Sequence, residues 1–309
     1  MTGSNVESTI ERPSTSDGVH PASITPDDGS EESYIFAAIR YDPILMHSPE
    51  NTAASFNRPS PFYLLEHQWT RLQVANWCTS FYRKGEQSGS IGGRPTNFLH
   101  GLLCAVKHWQ EIHPKEQYES LRIKVRSYIS GRVTTEIWPM ARIPINQLYV
   151  PSFKSPDQLE AGWAVVMDVE PTEATESTMY KTSDRFPYGR ARAMAGIPTF
   201  TTPKEVLLYN TENEILDGSI ATPYFYRDGR WVTPTSASGG LQGTTRRWAL
   251  ENALAIEGIV RKDTMQVGEK IWFSNAVRGF YHGTFELREP ECGPLNVQEC
   301  RRIERAMQN

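Results

Sequence analysis

Four short stretches of this chain carry residues that could act on a small molecule together. The loop Ser236 to Gly243 is rich in small residues and empties into a helix expected to begin near Thr244. Such a junction offers free backbone N–H groups and the positive end of a helix dipole, which suits a phosphate. The hydroxyls of Thr244 and Thr245 stand on the same first turn. Asp217 lies at the mouth of the preceding β-rich run, and Lys181 stands in the upstream segment Lys181-Thr-Ser-Asp-Arg185-Phe-Pro-Tyr188. Downstream, Trp272-Phe-Ser-Asn275-Ala276-Val-Arg278-Gly279 puts small polar residues at the end of an apolar strand.

A glycine pair before a helix is, by itself, ordinary turn chemistry. The combination says more. An amine for a Schiff base, an acid to face a pyridinium nitrogen and two clusters of phosphate donors are the requirements of pyridoxal 5'-phosphate (PLP).

Positioning these residues falls to a chain whose pattern changes midway. Residues 1–33 are rich in Ser, Thr, Pro and acids without apolar periodicity, and are expected to be a disordered acidic tail. Ser33 to Tyr41 reads as a buried strand and Asp42 to Pro61 as a loop. Leu65, Trp69, Leu72, Ala75 and Cys78 form one helical stripe in a helix from Phe62 to about Tyr82. After the glycine-rich connector Gly85 to Arg94, Pro95 and Thr96 start a second helix that runs to His113. Leu121 to Ile129 and Val133 to Trp138 read as a hairpin. Residues 34–138 are thus expected to form a small α/β domain and 139–156 a crossing.

The remainder, 157–287, is expected to be a larger strand-rich, barrel-like domain, with 288–309 an appendage. Its strands are read at Gly162 to Val169, Lys204 to Tyr209, Ile220 to Tyr226, Trp231 to Thr233, Ile259 to Arg261, Ile271 to Phe273 and Phe280 to Leu287. Helices are read at Pro187 to Ala195 and Thr244 to Glu257, and a hairpin turn at Arg227-Asp228-Gly229.

Composition narrows the function classes. The chain has 309 residues, 39% of them hydrophobic, which suffices for a sizeable core. A net charge of −4 with no basic block argues against nucleic acid as a partner. No run is long and apolar enough for a membrane span or a secretory leader. The four cysteines, Cys78, Cys104, Cys292 and Cys300, show neither metal spacing nor a disulfide framework, so a cytoplasmic enzyme acting on a small molecule without a metal is the expectation.

Three of the stretches resemble, in the same order, motifs of the class IV (fold-type IV) PLP-dependent aminotransferase family. Lys181 to Arg185 with Tyr188 resembles the segment holding the Schiff-base lysine. Leu216-Asp217-Gly218-Ser219-Ile220 resembles the family's Glu-Gly-Ser stretch, with Asp where most relatives carry Glu. Gly240-Leu241-Gln242-Gly243-Thr244-Thr245-Arg246 resembles its phosphate loop. The lysine segment and SYIFAAIRYDP followed by NRPSPFYLL are most similar to fungal 4-amino-4-deoxychorismate lyases.

The resemblance implies a mixed α+β, α/β fold with PLP between a small and a large domain, and a homodimer. It implies that Lys181 anchors the cofactor and moves the proton, that Asp217 faces the pyridine nitrogen, and that Thr244, Thr245, Asn275, Ala276 and Arg71 take the phosphate. His67 stands four residues before Arg71 rather than the family's three, and reads as a partly buried helical histidine. Arg126 and Arg278 are candidates for substrate carboxylates, with Arg40 and Arg185 as further cations and Tyr188 as a support. The implied activity is a lyase giving p-aminobenzoate and pyruvate, a step toward folate. A branched-chain or D-amino-acid aminotransferase on the same fold, and a non-catalytic relative that binds a partner, are the alternatives.

Overall fold

A computed structural model describes residues 8–9, 32–78 and 94–288, and its strands form two sheets. The smaller has the order β1-β4-β3-β2 and is antiparallel throughout. Its strands are β1 (Ser8–Thr9), β2 (Tyr34–Tyr41), β3 (Ser120–Tyr128) and β4 (Val133–Met140). Alternate side chains of β2 and β3 feed a core shared with two helices, α2 (Leu65–Cys78) and α3 (Pro95–Ile112). Ile35, Ala37, Ile39, Leu72, Val106 and Trp109 are all buried there. The β3–β4 connection turns at Gly131, whose φ of 84° is easy only for glycine.

The expected loop from Asp42 to Pro61 is partly helical. A 3-10 turn spans Pro43–His47, and the short helix α1 spans Pro49–Ala53. Both begin in the same way: Asp42 accepts from the N–H of Ile44, Ser48 accepts from the N–H of Asn51, and a proline follows each cap. The Asp-Pro and Ser-Pro pairs are therefore helix starts.

Beyond the short helix α4 (Ile145–Leu148), the second sheet has the order β10-β9-β8-β11-β12-β5-β6-β7 and curls into a half-barrel. Its strands are β5 (Trp163–Met167), β6 (Lys204–Tyr209), β7 (Ile215–Gly218), β8 (Thr222–Arg227), β9 (Arg230–Pro234), β10 (Ile256–Gly258), β11 (Lys270–Asn275) and β12 (Gly279–Phe285). The pairs β10–β9, β12–β5 and β5–β6 are parallel and the others antiparallel. Helices α5 (Glu176–Met179) and α6 (Phe186–Met194) precede β6, and α7 (Thr244–Glu251) follows β9. Tyr188, Ala191 and Ala195 pack with Val166, Val206, Leu208 and Leu216 of β5, β6 and β7.

Two strand readings need correction. Ile259 to Arg261 is not a strand: the pairing with β9 falls on Ile256–Gly258, and Ile259 is 63% exposed. Ile215–Gly218, absent from the strands read above, is a paired strand whose Asp217 lies opposite Leu208. Helix α7 stops at Glu251 rather than continuing to Glu257, because Ala253 adopts a left-handed φ of 54°.

Of the expected acidic tail, Ser8–Thr9 adds to the outer edge of β4. Apart from Glu32 and Ser33, the rest of the tail lies outside the described residues, as do Gly85 to Gly93 of the connector, all but Arg288 of the C-terminal appendage and the far end of the helix read to Tyr82. No described helix is long and apolar enough to cross a membrane.

Candidate active site

The lysine segment is held by the sheet it does not belong to in sequence. In the smaller sheet, β2 has an open edge, and residues 181–183 fill part of it. Phe36 N–H donates to the carbonyl of Lys181 at 2.8 Å, and Ser183 N–H donates to the carbonyl of Tyr34 at 2.7 Å. The Lys181 amine then projects into a cavity of about 710 Å³ between the sheets, with Nζ 5.2 Å from the centre of the Phe36 ring.

Asp217 lines the same cavity and is buried. Its carboxylate accepts from the N–H groups of Gly218, at 3.0 Å, and Leu241, so the acid is tied to the glycine-bearing loop. Gly240 makes that approach possible: a β-carbon there would overlap the carbonyl oxygen of Leu216. The loop ends at Gly243, which begins α7 with no side-chain cap, leaving its first turn open toward the cavity beside Thr244 and Thr245.

Helix α2 brings Arg71 to the same place. Arg71 donates to Gln68 Oε1 at 3.1 Å, and Gln68 Nε2 reaches Thr244 Oγ1 at 3.3 Å, a chain from one sheet's helix to the other's. Thr245 Oγ1 accepts from Ser274 at 3.0 Å, and Asn275 Oδ1 accepts from the N–H groups of Val277 and Arg278. Thus Lys181, Asp217, Arg71, Thr244, Thr245, Asn275, Ala276, Tyr188 and Arg278 all line one cavity. Tyr188 donates to the carbonyl of Thr178 at 3.1 Å and lies under the Arg185 guanidinium, 3.4 Å from ring centre to carbon.

Burial and charge set the protonation states. Burial, reinforced by Arg71, Arg185 and Arg122, pushes the Lys181 amine well below the ordinary lysine value, with Asp217 opposing. Burial raises the Asp217 carboxyl to about 8, against Arg185 and with help from Glu205. Burial, then Arg185, lowers Arg71 to about 10. An amine with weakened hold on its proton thus shares the cavity with an acid whose hold is strengthened.

Other expected cations are placed differently. Arg126 lies beyond the cavity lining, ion-paired with Glu136 and over the Tyr34 ring. Arg40 is fully buried and structural, donating to Ser120 at 2.7 Å, to the Ala141 carbonyl at 2.9 Å, to the Val277 carbonyl at 3.1 Å and to Asp42 at 3.2 Å. His67 faces Glu251 at 2.8 Å, away from the cavity lining, and burial lowers its proton affinity. Cavity residues absent from the sequence reading are Arg122 and Lys124 of β3, Trp138 of β4, Arg192 of α6 and Phe200. Arg122, Lys124 and Arg126 alternate on one face of β3, so the period of two is the signal that could have found the first two beside Arg126.

Known proteins place this arrangement. The pattern described as amino-transferase class IV matches residues 112–283. A Schizosaccharomyces pombe protein assigned as an aminodeoxychorismate lyase is 28% identical over 209 residues, covering 65% of this chain and 88% of that one. The aminodeoxychorismate lyase of Saccharomyces cerevisiae is 26% identical over 259 residues, 74% of this chain and 68% of the yeast protein. Among solved structures, the branched-chain amino acid aminotransferase of Escherichia coli superposes with a TM-score of 0.54 at 16% identity, covering 89% of this chain and 83% of that one. With a matched pattern over more than half its length and the fold to go with it, this chain belongs to the class IV aminotransferase family.

Proposed function

We propose that the protein is a PLP-dependent lyase that converts 4-amino-4-deoxychorismate to p-aminobenzoate and pyruvate. The observation that carries the reading is the pairing, in one cavity, of a buried lysine amine and a buried carboxyl with an excess of guanidinium groups. The names of the two fungal relatives supply the substrate.

The cavity residues fit PLP. The uncapped first turn of α7, with Thr244, Thr245 and Arg71, suits a phosphate dianion. Arg185 Nη1 is buried with no hydrogen-bond partner among the described residues, which an acceptor in the cavity would satisfy. PLP, when bound, supplies an aldehyde for amines and a ring that withdraws electrons from the carbon next to the substrate nitrogen. Lys181 is the anchor.

Lys181 Nζ, whose hold on a proton is weakened by burial and then by Arg71, Arg185 and Arg122, takes the proton from the amine-bearing ring carbon of the substrate. Asp217, its carboxylate held by the N–H groups of Gly218 and Leu241, would face the ring nitrogen of the cofactor and hold a proton there. Loss of the enolpyruvyl group makes the six-membered ring aromatic, a driving force that needs no second amino acid. The two substrate carboxylates face a wall that includes Arg122, Lys124 and Arg278. By the same family likeness the protein acts as a homodimer, and the lack of a disulfide framework among its cysteines suits the cytoplasm.

The test is the purified protein with PLP and aminodeoxychorismate. Fluorescent p-aminobenzoate and an equal amount of pyruvate are expected, both lost in Lys181→Ala. Stoichiometric glutamate from an amino acid and 2-oxoglutarate, without pyruvate, would assign an aminotransferase instead. Absence of a visible band from bound PLP would assign a non-catalytic relative.

A further inference from the structure

Between α6 and β6 the chain makes the turn Pro198-Thr-Phe-Thr-Thr-Pro203, and its Thr199, Phe200 and Thr201 form part of the cavity wall. The turn is built, not slack. Thr199 Oγ1 lies 3.0 Å from the hydroxyls of both Thr201 and Thr202, and Lys204 N–H donates to the carbonyl of Thr202 at 2.8 Å. A proline fixes φ at either end.

Three arginines from three different elements converge on it. Arg192 of α6 donates to the carbonyl of Thr199 at 2.7 Å, and its guanidinium lies 5.3 Å from the Phe200 ring centre. Arg122 of β3 lies 5.4 Å from the same ring and 4.9 Å from that of Trp138, the residue directly opposite it on β4. Arg278, after β11, donates to the Phe200 carbonyl and lies 4.9 Å from the Trp163 ring. All three line the cavity, where Asp217 is the one acid among the described lining residues.

Like charges do not gather without compensation. Arg278 disfavours the charge on both Arg122 and Arg192, and the counter-charges, Glu136 for Arg122 and Glu205 for Arg192, stand outside the lining. Aromatic faces, backbone carbonyls and, for Arg192, the Ser219 hydroxyl at 2.9 Å hold the guanidiniums in place, and a guanidinium stacked by its face, like Arg122, presents N–H edges to a carboxylate.

We propose that the 198–203 turn is the specificity element of this cavity: Phe200, by its ring and its carbonyl, fixes the spacing of Arg122, Arg192 and Arg278 so that ligands with two carboxylates are taken in preference to ligands with one. This deepens the lyase reading and rests on it for the substrate, but the geometry concerns ligand charge alone. Phe200 is a positioning residue. It acts through the arginines, and its loss is read in ligand preference before turnover.

The experiment compares isophthalate with benzoate, two rings that differ by one carboxylate. Dissociation constants come from the shift of the PLP band in the loaded protein and from calorimetry on cofactor-free protein. Wild type is expected to bind isophthalate at least about tenfold more tightly, the worth of roughly one charge-assisted hydrogen bond. Phe200→Leu, which keeps volume but not the π face, is expected to cut that ratio several-fold while PLP binds as in wild type. Phe200→Ala should cut it further, and if that variant does not fold, Phe200→Leu decides. A ratio unchanged in Phe200→Leu, or near one in wild type, overturns the proposal. Failure of wild type to bind PLP sinks the lyase reading, while calorimetry still decides this one.

Discussion

Gly240 packs so closely on Leu216 that a β-carbon would overlap the Leu216 carbonyl oxygen. Because Leu216 precedes Asp217 and Leu241 follows Gly240, this contact sets the acid against the anion-binding loop. Gly240→Ala is expected to cost about 2 to 3 kcal/mol in urea unfolding, the usual size of an overpacking strain, and to weaken PLP binding. Equal stability and affinity in Gly240→Ala would show that the loop shifts freely.

Lys181 has a depressed proton affinity caused first by burial and then by Arg71, Arg185 and Arg122. The rate at which cofactor-free protein captures the PLP aldehyde should therefore level off with rising pH well before the ordinary lysine range. Stopped-flow absorbance from pH 6 to pH 10 measures it. A rate that keeps climbing about tenfold per pH unit to pH 10 would mean an unperturbed amine.

Asp217 is an acid whose folded-state affinity for its proton is raised, to about 8 from an unfolded value of 3.8. Its burial costs nothing while both states are protonated, and the cost grows as pH rises from the unfolded value toward the folded one. Asp217→Asn should thus raise the melting temperature of the cofactor-free protein at pH 8, with a gain that shrinks toward pH 5. The same variant should lose activity about a hundredfold or more, since it has no proton to give and no charge to keep.

Arg71 reaches the cavity from α2 and is linked to Thr244 through Gln68. Arg71→Ala is expected to weaken PLP by roughly ten- to a hundredfold, the worth of a charge-assisted hydrogen bond at 1.5–3 kcal/mol, with unfolding in urea little changed. Fluorescence quenching by PLP gives the constant, and Arg71→Lys should recover part of it.

Much of this was legible in the sequence because the signals are local. The periods of α2, α3, β2 and β3, the Gly-bearing loop before Thr244 and the Asp228-Gly229 turn, whose φ values are 50° and 77°, all depend on near neighbours. The lysine and the acid emerged from motif likeness. What stayed hidden is tertiary. Nothing in the order of residues says that Lys181 completes the edge of β2, that Arg40 is spent on the carbonyls of Val277 and Ala141, or that a turn of threonines between two prolines gathers three arginines. Even strand β7 was obscured, because a four-residue strand carries too few alternations to stand out beside a polar turn.

The splice of residues 181–183 onto β2 divides the site in an unexpected way. Arg71, through α2, and Lys181, through its backbone, ride on the smaller sheet, whereas Asp217 and the first turn of α7 ride on the larger. The site is a vice with two grips on each jaw, and its occupant is also its bolt. A cofactor held as proposed would fasten the two halves of the molecule to each other.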